Sequence, residues 1–383
     1  MKKLLFPLPT RINDIEYASG SFFSIYKSLS NHFQLIPVGP LKLKKSLLHG
    51  FLNKLNDRNL FPWRFASMHS WKTINGYGKQ LQSHIDSLEF DAIFATSTLY
   101  AAKVKTDKPV FAFTDLSYIN ALDYYSFASK LFTPSKKEAL DVDRFCFEKH
   151  TKVFLASEWA KNKTIEAYSL SPEKIVAVGR GANLISNYNN DEFKKKLDSR
   201  IDALSKNCLF IGRNWKSKGG DVAFEIVDRF FQSGLNVKLQ IVGCVPPGKI
   251  SQSPFVEVYK YLNRNDENDL RVFKNLFANA WIFIMPTKSD AMGIAFNEAS
   301  SFGLPSVSYN TGGVGAAVEN NVTGFLFDQG DSIDTMVSKI RSLMSDNITY
   351  KSMSYKAFEK YTNENNWDTI ALRLKNEIET FLK

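Results

Sequence analysis

The chain has 383 residues, too many for one ordinary domain and a comfortable number for two. At 44% hydrophobic and 23% charged it is neither disordered nor fibrous, and three cysteines (Cys146, Cys208, Cys244) exclude an evenly paired disulfide scaffold and fit a reducing compartment. The net charge of +10 is lopsided, because residues 1–80 hold 12 Lys/Arg against 3 Asp/Glu, so the first fifth of the chain is expected to attract an anionic surface or ligand.

In chain order, MKKLLFPLPT has too short an apolar run before Pro7 for a secretory signal. Next comes LKLKKSLLHGFLNKL (41–55), whose Leu41, Leu47, Leu48, Phe51, Leu52 and Leu55 fit one helical face edged by Lys42, Lys44, Lys45 and Lys54. Such a helix suits either anionic lipid or a place on its own domain with a solvated basic side. No nucleic-acid module accompanies it, so nucleic acid is not an expected partner. DAIFAT (91–96), PVFAF (109–113), KVFLAS (152–157) and KIVAVG (174–179) read as buried strands, with helices over 135–150 and 158–168. The polar stretch 183–207 reads as an interdomain link. After it, strands are expected at 208–212, 237–243, 255–258, 281–286 and 305–309, with helices at 221–231, 266–280 and 294–302. This alternation is the βαβ rhythm of parallel sheets covered by helices on both faces, and two such domains facing across a cleft would bind ligands at their strand ends. The longest uncharged stretch, 299–318, is rich in Gly, Ser, Asn and Pro and is no membrane span.

The segment with most chemistry is PTKSDAMGIAFNEASSFGLPSV (286–307). A strand ends at Pro286, a loop carries Asp290, and a helix opening near Gly293 carries Glu298. The helix amino end offers free N–H groups to a phosphate, and each carboxylate can accept hydroxyl hydrogen bonds, as from sugars. Upstream, FIGRNWKSKGGD places Arg213 and Lys218 after another strand, a cation pair suited to a diphosphate. Asp141-Val142-Asp143 spells an acidic metal-binding triplet but falls within a helical stretch, where a solvated face is expected. The five His and three Cys show no metal-ligand spacing, and the strings around Gly179 and Gly312 are followed by no dinucleotide-binding unit, so neither a metal nor a cofactor is expected.

Taken together, these segments resemble the GT-B retaining glycosyltransferases called family 4, also known as glycosyl transferases group 1. The resemblance rests on Gly212-Arg213 followed by Lys218-Gly219, and on the IVG strand ending at Gly243. It continues through the block Pro286, Thr287, Asp290, Glu298, Ala299, Gly303 and Pro305, then Gly312-Gly313 and the strand Thr323-Gly324-Phe325-Leu326. It extends back to about residue 90; residues 1–90 match loosely.

The resemblance implies a catalytic set of Arg213, Lys218, Asp290 and Asp115. Arg213 and Lys218 would grip the donor diphosphate, Glu298 the ribose hydroxyls, and Asp290 the transferred sugar, with backbone N–H groups of Met292, Gly293 and Ile294 nearby. Gly20 would stand in a loop approaching phosphate and acceptor, and Tyr261 and Leu262 would cradle the base. Two positions depart from the pattern: Asp290 replaces the usual Glu, and Thr114-Asp115 replaces His-Asp, leaving Thr114 or Asp115 as replacement sugar contacts.

The implied architecture is α/β with two doubly wound Rossmann-like domains: 1–185 on the acceptor side, a linker at 186–206, a donor domain at 207–366, and a last helix at 367–383 crossing back to the first domain. The implied reaction is metal-independent, retaining transfer of a hexose-type sugar from a nucleotide-sugar donor to a hydroxyl of a glycan or lipid-linked acceptor, in bacterial cell-surface polysaccharide synthesis. The expected location is cytoplasmic, at the inner face of the membrane if residues 41–55 bind it. The alternatives are a catalytically weak nucleotide- or glycan-binding module and a sugar-nucleotide epimerase.

Overall fold

The structure is a computed structural model that describes residues 1–12, 14, 20–43, 47–58, 60–125 and 130–382; the side chains of Leu47 and Asp123 also lie outside the description. The chain forms two units, Met1–Gly179 with Ile370–Lys383, and Arg180–Thr369.

The first unit is built on a six-stranded sheet of β1 (Lys3–Pro7), β2 (Gln34–Val38), β3 (Ala92–Ala95), β4 (Val110–Thr114), β5 (Lys152–Leu155) and β6 (Ile175–Ala177). Their spatial order is β2-β1-β3-β4-β5-β6 and every pair is parallel. KLLFP, which sequence reading passed over as a short apolar run, is a central strand with Leu4, Leu5 and Phe6 fully buried. Helices cover both faces, as parallel strands buried on two sides require. One core packs Leu5, Ile93 and Ala95 with Ile74, Leu81 and Val142; another packs Val153 and Leu155 with Phe147 and Tyr168.

The second unit repeats the plan with β7 (Lys206–Ile211), β8 (Val237–Val242), β9 (Val256–Tyr259), β10 (Ile282–Ile284), β11 (Ser306–Tyr309) and β12 (Gly324–Phe327). The order is β12-β11-β10-β7-β8-β9, again all parallel. In each sheet the winding reverses once, between β1 and β3 and between β7 and β10. A doubly wound sheet leaves a crevice at that point, outside the strands' carboxyl ends.

Two expectations about the elements are revised. The expected linker 186–206 is largely the helix Asn190–Asp202, opened by a capping box between Asn189 and Glu192. Phe193 stacks on Phe358 and Arg200 donates to the carbonyls of Phe302 and Gly303, so this stretch is part of the second unit. The expected helix 41–55 runs instead over Leu47–Asp57; Leu41 lies outside it, buried in the first unit's core, and Lys44 and Lys45 fall outside the described residues. The last helix, Trp367–Glu379, begins in the second unit and continues into the first, where Glu377 pairs with Lys152 at 2.5 Å and Arg373 donates to the Val178 carbonyl at 2.9 Å.

Asp143, expected on a solvated face, is buried. Its carboxylate accepts from the Tyr168 hydroxyl (2.7 Å) and the Tyr118 N–H (2.6 Å). Burial pushes its pKa up to about 7 despite those two donors. His69 Nε2 lies 3.9 Å away, and burial lowers that imidazole below its usual range.

Candidate functional site

The second unit's crevice between β7 and β10 is flanked by the loops 212–219 and 285–293. They are stitched together: the Lys288 N–H donates to the Ser217 carbonyl at 3.0 Å, and the Thr287 hydroxyl to the same carbonyl at 3.3 Å. Gly219 caps the helix Gly220–Gln232 with φ 76°, and a Cβ there would run into the Pro286 carbonyl. Only glycine brings the two loops this close at that dihedral.

This approach carries Lys218 onto Asp290. The ammonium donates to Asp290 Oδ2, with the lysine 26% and the aspartate 14% exposed. The other oxygen, Oδ1, accepts weakly from the Met292 N–H at 3.4 Å. Gly293, in the left-handed region at φ 76°, then opens the helix Ile294–Ser301, with Met292 buried and Ile294 half-buried. Arg213 follows β7, is exposed, and lines an open pocket of about 440 Å³ with Lys216, Lys260, Trp215 and Gly243. Its neighbour Gly212 lies against the Lys218 stem, and the Gly243 turn after β8 packs on the Gly212 carbonyl. Three cations and the backbone of two strand ends therefore border this pocket, an arrangement that favours an anion.

Glu298 sits in the helix after Gly293 and is 1% exposed. Its partner is a residue that sequence reading did not select. Arg264, in the loop after β9, reaches both carboxylate oxygens, Nη1 to Oε1 at 2.8 Å and Nη2 to Oε2 at 3.2 Å. The guanidinium lies over the Phe273 ring, 4.9 Å from its centroid. Arg180 was missed as well. It is buried, its carbonyl accepts from Asn297 Nδ2 at 2.8 Å, and Asp290 acts on its guanidinium electrostatically. Burial pulls its pKa down to about 10, and Asp290 offsets part of that fall. The signal for both was available: each arginine follows a strand of the parallel sheets, as Arg213 does.

The other expected site residues lie on other elements. Tyr261 is exposed and Leu262 half-buried, both just past β9. Thr114 ends β4 of the first unit with Asp115 next to it, both half-buried. The cap of the following helix is Ser117, so Asp115 is not the capping residue. Gly20 caps the helix Ser21–Leu29 at φ 89°, on the β1 side of the first unit's crevice; residues 15–19 before it lie outside the described residues. Among the described residues, no group of three His, Cys, Asp or Glu side chains gathers to hold a metal.

Two parallel six-stranded sheets, each wound both ways and clad in helices, are the GT-B glycosyltransferase fold. Residues 191–360, most of the second unit, match the family model "Glycosyl transferases group 1". Among curated proteins, a sulfoquinovosyl transferase of Arabidopsis thaliana is 33% identical over 104 residues, 26% of this chain and 20% of that one. A D-inositol 3-phosphate glycosyltransferase of Corynebacterium diphtheriae is 23% identical over 56% of this chain and 52% of its own length. The chain thus spans about half or less of the length of these relatives. Among solved structures, sucrose-phosphate synthase from Thermosynechococcus elongatus aligns over 99% of both chains at TM-score 0.71 and 11% identity. Anabaena Alr3699/HepE in complex with UDP-glucose aligns over 99% of this chain and 100% of that one at TM-score 0.62 and 14% identity.

Proposed function

We propose that the protein is a nucleotide-sugar glycosyltransferase that moves a hexose-type sugar, with retention of configuration, to a hydroxyl of a glycan or lipid-linked acceptor in cell-surface polysaccharide synthesis. The observation that carries this reading is the Lys218–Asp290 ion pair at the second unit's switch point, bordered by the Arg213 pocket. The match of residues 191–360 to the glycosyltransferase family model supports it.

In this reading Lys218 and Arg213 meet the donor pyrophosphate, and the amino end of the helix Ile294–Ser301 adds its dipole. As the sugar–phosphate bond breaks, negative charge grows on the leaving phosphate, and fixed cations stabilise that charge more than the ground state. The departing phosphate oxygen takes the acceptor's proton on the same face, so no enzymic nucleophile is needed. Asp290, one methylene shorter than Glu, holds a sugar hydroxyl while Lys218 keeps it in place. Glu298 accepts from the ribose hydroxyls, and no metal is required to neutralise the diphosphate.

The test is nucleotide release from a panel of UDP-, GDP- and ADP-sugars, with and without acceptors, beside thermal shifts for each donor. Release that depends on an acceptor is expected. A donor that raises Tm but is never turned over would instead favour the binding-module alternative.

The first unit motivates a second part of the reading, attachment to the cytoplasmic face of an anionic membrane. Leu48 and Phe51 on the helix Leu47–Asp57, and Leu60 and Trp63 beyond it, are exposed. Lys54 and Arg58 stand exposed among them. Asn53 and Asn56 pin the 60–65 loop to the helix through the Phe65 and Phe61 backbone. Apolar side chains held beside cations suit an anionic lipid interface. Among the described residues no helix is long and apolar enough to cross a membrane.

A further inference from the structure

We infer that Arg180 is a positioning residue acting through Asp290: it stays with that carboxylate as a second counter-charge, so that the Lys218 ammonium can turn from Asp290 to the donor phosphates. This rests on the phosphate-binding role proposed for Lys218. Lys218 has one ammonium for two anions, the diphosphate and Asp290, whose carboxylate already accepts from it. The Asp290 side chain is 14% exposed, so water replaces a departing cation poorly, and an uncompensated carboxylate there would pull Lys218 back. The two cations that act on Asp290 differ in the way such an exchange needs. The Lys218 side chain is 26% exposed, and its flexible stem lies against Gly212, next to the Arg213 pocket. Arg180 is 6% exposed, and the Asp290 charge favours its protonated form.

The second unit holds Arg180 in place. Its carbonyl accepts from Asn297 Nδ2 at 2.8 Å, the Ala182 N–H donates to the Asn365 carbonyl at 3.0 Å, and Asn183 Oδ1 accepts from the Trp367 indole at 2.8 Å. Gly181 among them lies on the Trp367 ring, with no room for a Cβ. Asn297 sits on the helix Ile294–Ser301, opened by the same Gly293 that packs on the Asp290 carboxyl: a Cβ on Gly293 would stand 3.4 Å from Asp290 Cγ. The Asp290 carbonyl accepts from the Gly313 N–H at 3.2 Å. One helix therefore ties the Arg180 backbone to the Asp290 loop, and both stay in place when Lys218 turns. Arg180 then balances Asp290, and the charges of Lys218 and Arg213 are left for the diphosphate.

The experiment is a double-mutant cycle read by calorimetry with inorganic pyrophosphate, on wild type, Arg180→Gln, Asp290→Asn, the double variant and Arg180→Lys. Arg180→Gln should weaken pyrophosphate binding by about tenfold or more, because Asp290 then keeps Lys218 as its counter-charge. In the Asp290→Asn background the same substitution should change Kd by under about threefold, because no carboxylate remains to compete for Lys218. A loss that persists in that background overturns the proposal, since a direct pull of Arg180 on phosphate, or damage to the fold, acts with or without Asp290. Unchanged pyrophosphate binding in folded Arg180→Gln overturns it too. If Arg180→Gln does not fold, Asp290→Asn and Arg180→Lys decide. Both should bind within about threefold of wild type, the first because Arg180 already balances the carboxylate and the second because the charge is kept; a larger gain in the first or a larger loss in the second overturns the proposal. A wild type that binds no pyrophosphate overturns it together with the donor-binding reading, whereas binding that ignores Arg180 overturns it alone.

Discussion

The two units share one plan, six parallel strands wound both ways from one switch point, yet they distribute charge differently. In the second unit the charges converge on the switch point: Lys218 on Asp290, Arg180 acting on the same carboxylate, Arg264 on Glu298. In the first unit the residues expected at the site, Gly20, Thr114 and Asp115, include a single carboxylate and no cation. Its excess cations lie within residues 1–80, several of them around an exposed apolar helix. Among the described residues its deeply buried carboxylate, Asp143, meets hydroxyl and imidazole groups. A doubly wound sheet thus supplies the crevice, and the side chains decide whether that crevice holds anions.

Four experiments would break or sharpen this contrast. The largest effect is expected at Lys218. Lys218→Ala should lower kcat by about 10²–10³ with acceptor KM little changed, as measured by nucleotide release. A change confined to acceptor KM would remove the second unit's claim to the phosphate. Gly219→Ala comes next, since it combines positive φ with a collision at the Pro286 carbonyl. It should cost at least ~2 kcal/mol, read as a lowered Tm, and should disturb Lys218 and Asp290 together.

Asp143→Asn probes the first unit. The folded carboxyl keeps its proton up to about pH 7 while the unfolded one releases it near 4, so wild-type stability from this group falls as pH rises across that window. Burial of His69 and His150 acts in the opposite sense, costing stability as pH falls below about 6.5. Asn cannot titrate, so the variant should gain on wild type by roughly 2 kcal/mol between pH 5 and pH 8 in urea unfolding. A gap independent of pH would show that Asp143 is ionised throughout. The smallest effect is at the surface. Phe51→Ser with Trp63→Ser should weaken co-sedimentation with anionic vesicles several-fold at low salt and leave nucleotide release from the donor, with a soluble acceptor, unchanged. Equal binding of the double variant and wild type would assign the basic excess to something other than lipid.

Much of this was legible because parallel strands buried on both faces announce themselves as unbroken apolar runs, as in DAIF, CLFI and WIFI. KLLFP has the same character, but Pro7 and its place near the start of the chain masked it. The helix Asn190–Asp202 hid for another reason: Phe193 and Leu197 are its only buried apolar side chains, although Asn189 and Glu192 spell a capping box. Lys218, Asp290 and Glu298 were singled out by their places at strand and helix ends, and the structure brings Lys218 onto Asp290. Arg264 and Arg180 were not selected although each follows a strand; what the sequence could not show is which carboxylate each meets, 34 and 110 residues away.

The path of the chain has one more consequence. It leaves the first unit after Gly179, builds all of the second, and returns at Ile370 to lay the Trp367–Glu379 helix against Lys152 and Val178. During synthesis the amino-terminal half therefore waits, one helix short, until its neighbour has been translated. Fragments ending near residue 180 should be poor surrogates for that half, and clipping the tail should injure the first unit around Lys152 and Val178.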